Sequence, residues 1–214
     1  MLKHIFAIAC VICIPFSVAR ADQPAAGSPS NSGTATLPPS AFATPPEDGT
    51  PWYKMPDLID FAVGGTDFDR VRDANNSADM RVEYRSGLSL LPKIASVFKN
   101  WDPYFQMRPM AGVEGTSKGA LYGFGGFMFD VPIGRNFYVS ENEAVGAYYR
   151  GNGKILGSVI EFRSGLEGGY RFDNNMRFGL SISHISNAKI TRVNPGTEIA
   201  SANVYIPVNW IFGE

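Results

Sequence analysis

Apolar and polar residues alternate along most of the chain after residue 56, with a period of two rather than the 3.6 of a helix. Ile59, Phe61 and Val63 share one parity. Met80, Val82, Tyr84, Leu88 and Leu90 share another run, with Arg81, Glu83 and Arg85 between them. Phe105, Met107, Ala111 and Val113 oppose Gln106, Arg108 and Glu114, and Leu156, Ile160, Phe162, Leu166, Tyr170 and Phe172 oppose Glu161, Arg163, Glu167 and Arg171. Successive side chains of a strand point to opposite faces, so each segment predicts a strand with one apolar and one charged face. Turn signals divide the region into eight segments, near 57–67, 78–90, 101–115, 118–131, 136–149, 155–172, 175–187 and 198–212. The fifth is the least regular, because Glu141 and Glu143 fall on the parity of Phe137 and Val139.

Alternation alone does not say which face is inside. A soluble barrel buries its apolar face, whereas a transmembrane barrel turns that face to lipid and keeps a polar lumen. An even strand count and segments mostly longer than the ~9–11 residues of a tilted spanning strand favour the second arrangement. Lumen-facing Arg and Glu on neighbouring strands can then pair, and Trp52, Tyr53, Trp101, Tyr148, Tyr149 and Trp210 would supply interfacial girdles. The predicted fold is all-β, an eight-stranded antiparallel transmembrane β-barrel. A secreted soluble barrel is the alternative. With a periplasmic amino terminus, the link between strands seven and eight, "AKITRVNPGT", is extracellular.

The amino-terminal composition supports the membrane reading. Lys3 and His4 precede an almost unbroken apolar run from Ile5 to Val18, and Ala19-Arg20-Ala21 offers a cleavage site. Residues 1–21 therefore read as a secretory signal peptide, and the spacing does not favour a lipoprotein Cys at Cys10 or Cys13. Residues 22–51, rich in Pro, Ser, Ala, Gly and Thr, read as a disordered periplasmic tether, and 52–214 as the barrel domain. Cleavage would remove both cysteines, which excludes a disulfide, and would leave His184 as the only histidine. It would also leave 17 basic against 20 acidic side chains, which gives no basis for nucleic-acid binding.

Candidate chemistry gathers at the end of strand seven. His184 and Ser186 continue the parity of Met176, Phe178, Leu180 and Ile182, and so lie on the lipid-facing side. On strand eight, Glu198 shares the parity of Ala200, Ala202, Val204, Ile206, Val208 and Trp210. Polar groups facing lipid are costly and tend to be paired or functional. A serine becomes a nucleophile when a base takes its proton, and a carboxylate can orient that base. The amide of Asn187 could donate to an oxyanion. Asn194, Pro195 and Gly196 read as a plain turn, and Glu161 and Glu167, on the lumen parity, as structural charges.

At these residues the sequence resembles the lipid A 3-O-deacylase (PagL) family of outer-membrane acyl hydrolases. The resemblance rests on His184-Ile185-Ser186-Asn187-Ala188, on Glu198 twelve residues after the serine, on "GYRFDNNMRFGLSISH" and on "VYIPV", and extends from about Trp101 onward. It implies an eight-stranded barrel in the bacterial outer membrane that removes the ester-linked 3-position acyl chain of lipid A in lipopolysaccharide, with no metal or other cofactor. Ser186 would be nucleophile, His184 base, Glu198 its orienting acid and Asn187 an oxyanion donor. One departure is that an acidic residue expected on strand six aligns with Ser164 here. A non-catalytic barrel for adhesion or envelope integrity, and a barrel phospholipase or acyltransferase, are the competing readings.

Overall fold

The computed structural model describes residues 55–67, 76–90 and 106–213. The expected signal peptide, tether, most of the first long loop, Trp52, Tyr53 and Trp101 lie outside the described residues. Within them, eight strands run β1 (Leu58–Thr66), β2 (Ala78–Arg85), β3 (Gln106–Thr116), β4 (Leu121–Ile133), β5 (Phe137–Tyr149), β6 (Ile160–Arg171), β7 (Arg177–Ser186) and β8 (Thr197–Pro207). Each pairs antiparallel with its sequence neighbours, and β1 pairs with β8, so the sheet closes and leaves no open edge. A single turn of helix, α1 (Val208–Phe212), follows.

The charged parity is inside. Arg81, Glu83, Arg85, Arg108, Asp130, Arg163, Glu167 and Arg177 are all buried, while Phe61, Val63, Val82, Val113, Leu166, Leu180 and Ile182 stand exposed on the outside. This inversion is the pattern of a transmembrane barrel. The irregular fifth strand is a real exception: Glu141 and Glu143 do sit on the outer face, opposite in sense to the buried Ser140, Asn142 and Ala144.

Inside, charges form a continuous lattice. Arg81 reaches Asp60 at 2.9 Å and Glu83 at 3.4 Å, and Arg85 bridges Glu83 at 2.5 Å to Glu167 at 2.9 Å. Arg163 lies 3.6 Å from Glu114 and 3.7 Å from Glu83, and Arg177 lies 3.1 Å from Asp130. Tyrosines complete it: Tyr138 donates to Glu167 at 2.6 Å, Tyr205 donates to the same carboxylate, and Arg85 stacks on the Tyr205 ring at 4.4 Å. Gly179 makes room at this point, since a Cβ there would come within 2.8 Å of both Glu167 Oε1 and the Tyr138 hydroxyl.

The sequence reading differs most at three strand ends and in the facing of Tyr148. Strand β2 ends at Arg85, where Gly87 turns so close to Met55 that a Cβ would lie 2.1 Å from its carbonyl oxygen. Strand β6 begins at Ile160 rather than near 155, because Gly157 takes φ +101 and the chain before it folds over the barrel end. Leu156 is therefore not on the lipid face. It is buried with Met110, Tyr122, Phe124, Met128, Ile185 and Ile199 in an apolar cluster within the barrel. Tyr148 also faces inward, donating to the Lys154 carbonyl at 3.0 Å, so only Tyr149 of that pair is an outward aromatic. Finally, β8 stops at Pro207, and Val208 and Trp210 belong to α1 rather than to the strand.

Glu167 holds together three partners from three other strands, so Glu167→Ala should be severe. Removing one member of a buried ion pair leaves an uncompensated charge, at a cost of about 3–5 kcal/mol. We expect Glu167→Ala to lower the denaturant midpoint sharply, whereas Glu141→Ala on the outer face should shift it little. Equal midpoints for the two variants would contradict the lattice.

Candidate active site

The register of β7 and β8 sets His184 directly opposite Glu198. Both side chains point outward at the end of the barrel that carries the β7–β8 connection, and His184 Nδ1 lies 3.3 Å from Glu198 Oε1. Their side chains are 25% and 17% exposed, so the pair is sheltered without being sealed. Ser186 follows on the same face, opposite Phe162 of β6, and is half-buried. On the other flank of His184, its register partner on β6 is Ser164. Thus the structure brings His184, Ser186 and Glu198 to one outward patch, as the parity predicts.

Asn187 behaves differently from the sequence expectation. It is fully buried, and its Nδ2 donates to the carbonyls of Leu156 at 2.9 Å and Val193 at 2.8 Å and to Thr191 Oγ1 at 2.9 Å. Its backbone N–H donates to Asn194 Oδ1 at 3.0 Å. The amide hydrogens are thus committed to the turn, and service to an oxyanion would require exchanging one of these bonds. In this conformation Asn187 pins the loop that follows the nucleophile candidate.

Gly196 is the residue that sequence reasoning undervalued. It reads as part of a plain Asn-Pro-Gly turn, yet it packs on the imidazole. With φ at +65, a Cβ there would come within 2.4 Å of His184 Cε1 and 2.9 Å of Nε2. Only glycine combines that backbone conformation with that closeness. The signal available in the sequence was the glycine just ahead of Glu198, but its contact depends on the register of two strands.

An outward depression of about 520 Å³ begins in the row next to His184. Among its lining residues, Gly168 and Ala200 are small, and Leu166, Leu180, Ile182 and Val139 flank them. Ile182 lies opposite both Ala200 and Leu166, so the groove runs along the barrel wall directly from the polar patch. A polar patch heading an apolar trough suits an amphiphile with an acyl chain.

The sequence model of the family described as lipid A 3-O-deacylase (PagL) matches residues 75–207, more than half the chain. The chain belongs to that family. No curated protein sequence matches it. Among solved structures, the crystal structure of the outer membrane enzyme PagL is similar at TM-score 0.51 and 20% identity, over 71% of this chain and 99% of that one. A de novo designed transmembrane β-barrel is similar at TM-score 0.46 and 10% identity, over 77% of this chain and 98% of that one. At 20% identity the PagL likeness shows the shared barrel. The family match covers every strand from β2 on, and it includes the His184–Glu198 patch.

Gly196→Ala tests the contact with the imidazole. Displacing a reacting group by about 1 Å costs on the order of 10²-fold in rate. If His184 is the base of an acyl hydrolase, Gly196→Ala should keep the folded barrel, checked by heat-modifiable migration, and lose about that factor in hydrolysis of an acyl ester. Wild-type turnover in this variant would remove Gly196 from the site.

Proposed function

We propose that this chain is an outer-membrane lipid A 3-O-deacylase, a serine esterase that hydrolyses the ester-linked 3-position acyl chain. The observation that carries the reading is the outward His184 Nδ1 facing Glu198 Oε1 at 3.3 Å, with Ser186 next on the same face. Family membership and the adjoining apolar trough support the same substrate class. The inverted barrel supports placement in the outer membrane, with residues 1–21 removed at Ala21 and 22–51 left as a periplasmic segment.

The proposed reaction follows from the residue chemistry. The Ser186 Oγ attacks the ester carbonyl while His184 Nε2 accepts its proton. Glu198, at Nδ1, keeps the imidazole in the tautomer that leaves Nε2 as acceptor and stabilises the imidazolium. Collapse of the tetrahedral intermediate expels the sugar hydroxyl, which takes the proton from His184. Water, activated by the same imidazole, then releases the fatty acid from Ser186. Asn187 holds the loop in place, and for it to be an oxyanion donor one amide hydrogen must leave the turn. The acyl chain lies along the Gly168–Ala200 trough, its ester at the level of the patch.

Mass spectrometry of lipid A incubated with purified protein tests this directly. Release of a 3-linked fatty acid is expected from wild type, and Ser186→Ala and His184→Ala should each cost several orders of magnitude, with the double variant hardly worse than either. Glu198→Gln should retain the fold and lose most activity, because an amide can hold the wrong tautomer. Undiminished turnover in Ser186→Ala would overturn the esterase mechanism and favour a non-catalytic barrel.

A further inference from the structure

The outward polar row continues past the histidine. Ser164 of β6 lies opposite His184, and Glu143 of β5 lies opposite Ser164. The Ser164 hydroxyl donates to Glu143 Oε2 at 2.8 Å. Glu141 lies next to it on the same face of β5. Around them the outer wall is apolar, with Phe127, Val145, Phe162 and Leu166 exposed. Glu143 itself is half-buried there.

Two carboxyl groups on a lipid-facing wall are expensive and invite a functional account. The lumen lattice does not provide one, since Glu141 and Glu143 face away from it. Their chemistry narrows what they can meet. The Ser164 hydrogen is spent on Glu143, so the patch presents acceptor oxygens and negative charge. It therefore suits a hydrogen-bond donor and repels phosphate. Cations at this end lie further out, on the β7–β8 loop, where Lys189 and Arg192 line a shallow surface depression, and at Arg150 just past β5. Neighbouring strands are ~4.8 Å apart, which sets β5 two spacings, roughly 10 Å, from the imidazole strand. A long Glu side chain can cover part of that distance.

We infer that Glu143, held by Ser164, determines specificity by accepting a hydrogen bond from a hydroxyl or amide N–H that the substrate carries near its scissile ester. It also turns anionic groups of the substrate away from its own place in the row. This inference rests on the esterase reading above. It gives the carboxylate of β5 a role that no parity rule predicts, and it sets the orientation of the head group across the row.

The test compares kcat/KM for matched synthetic substrates with the full chain in detergent micelles. One is an N-acyl glucosamine whose 3-O-linked acyl chain carries a hydroxyl on its third carbon. The second lacks that hydroxyl, and a third keeps it but replaces the neighbouring amide with an ester. Wild type should favour a donor-bearing substrate over its donor-free match by on the order of 10–100-fold, the worth of one hydrogen bond to a charged group. Which analogue loses rate identifies the donor. Glu143→Leu should collapse that ratio towards one, with the loss falling on the donor-bearing substrate and mainly in KM, and Glu143→Asp should restore part of it. Ser164→Ala, a smaller change to the wall, should lower the ratio in the same direction. Equal rates for all three substrates in wild type, or an equal loss on all three in Glu143→Leu, would overturn the assignment. Cleavage of none by wild type would instead remove the esterase reading, and this inference with it.

Discussion

The buried charge lattice in the lumen is the interaction on which the rest of this barrel depends. At least ten arginine and carboxylate side chains are withdrawn from water inside a closed sheet, where an unpaired charge would cost several kcal/mol. Pairing is possible only if neighbouring strands meet in one register. Arg85 must reach Glu83 on its own strand and Glu167 across the lumen, and Tyr138 and Tyr205 must meet Glu167 from two more strands. A slip by one residue would send these groups to lipid and bring Leu180 and Ile182 inside. The lattice thus fixes register from within, and register fixes which residues face one another outside.

That consequence explains the outer patch. His184 meets Glu198 because the β7–β8 register, which sets Arg177 opposite Tyr205 and is tied by Ser181 donating to Asn203 deeper in the wall, continues to the rim. The same register aligns Ser164 with His184 and Glu143 with Ser164. The outer polar row therefore needs few contacts of its own to be placed. Gly196 and Asn187 add the local part: one lets the loop lie against the imidazole, and the other ties that loop to Leu156 and Val193.

Parity was legible in the sequence because a strand has a period of two and a membrane barrel has two very different surroundings. Arg81, Glu83 and Arg85 could be assigned to one face from their spacing, and His184, Ser186 and Glu198 to the other. Glu141 and Glu143 also obeyed parity, although their charge made the strand look irregular. What parity cannot carry is the path of the chain between strands. Leu156 continues the alternation of β6 in sequence, but it precedes Gly157 at φ +101 and folds into the barrel interior. Tyr148 shares an inward parity with Ala144, which its aromatic character obscured. Gly196 and the commitment of the Asn187 amide are contacts of a folded loop, with no periodic signature.

In the proposed serine esterase, the height of the patch on the wall follows from the chemistry. A serine ester intermediate is released only by water, and water is scarce beside the middle of a spanning strand. His184 and Ser186 close β7 and Glu198 opens β8, so the patch lies at the strand ends, with the 187–196 loop beyond it. The apolar trough begins one row further in and runs toward the opposite rim, where Phe137, Tyr170 and Phe172 form edge-to-face pairs. An acyl chain following that trough stays in apolar surroundings while its ester remains level with the imidazole. A nucleophile placed at Ile182 would keep the same parity and the same trough but would lose access to water for deacylation. Placed beyond Ser186, in the loop, it would keep water and lose the register that holds Glu198 against its base. Under the proposed mechanism, the end of β7 is the position that satisfies both requirements.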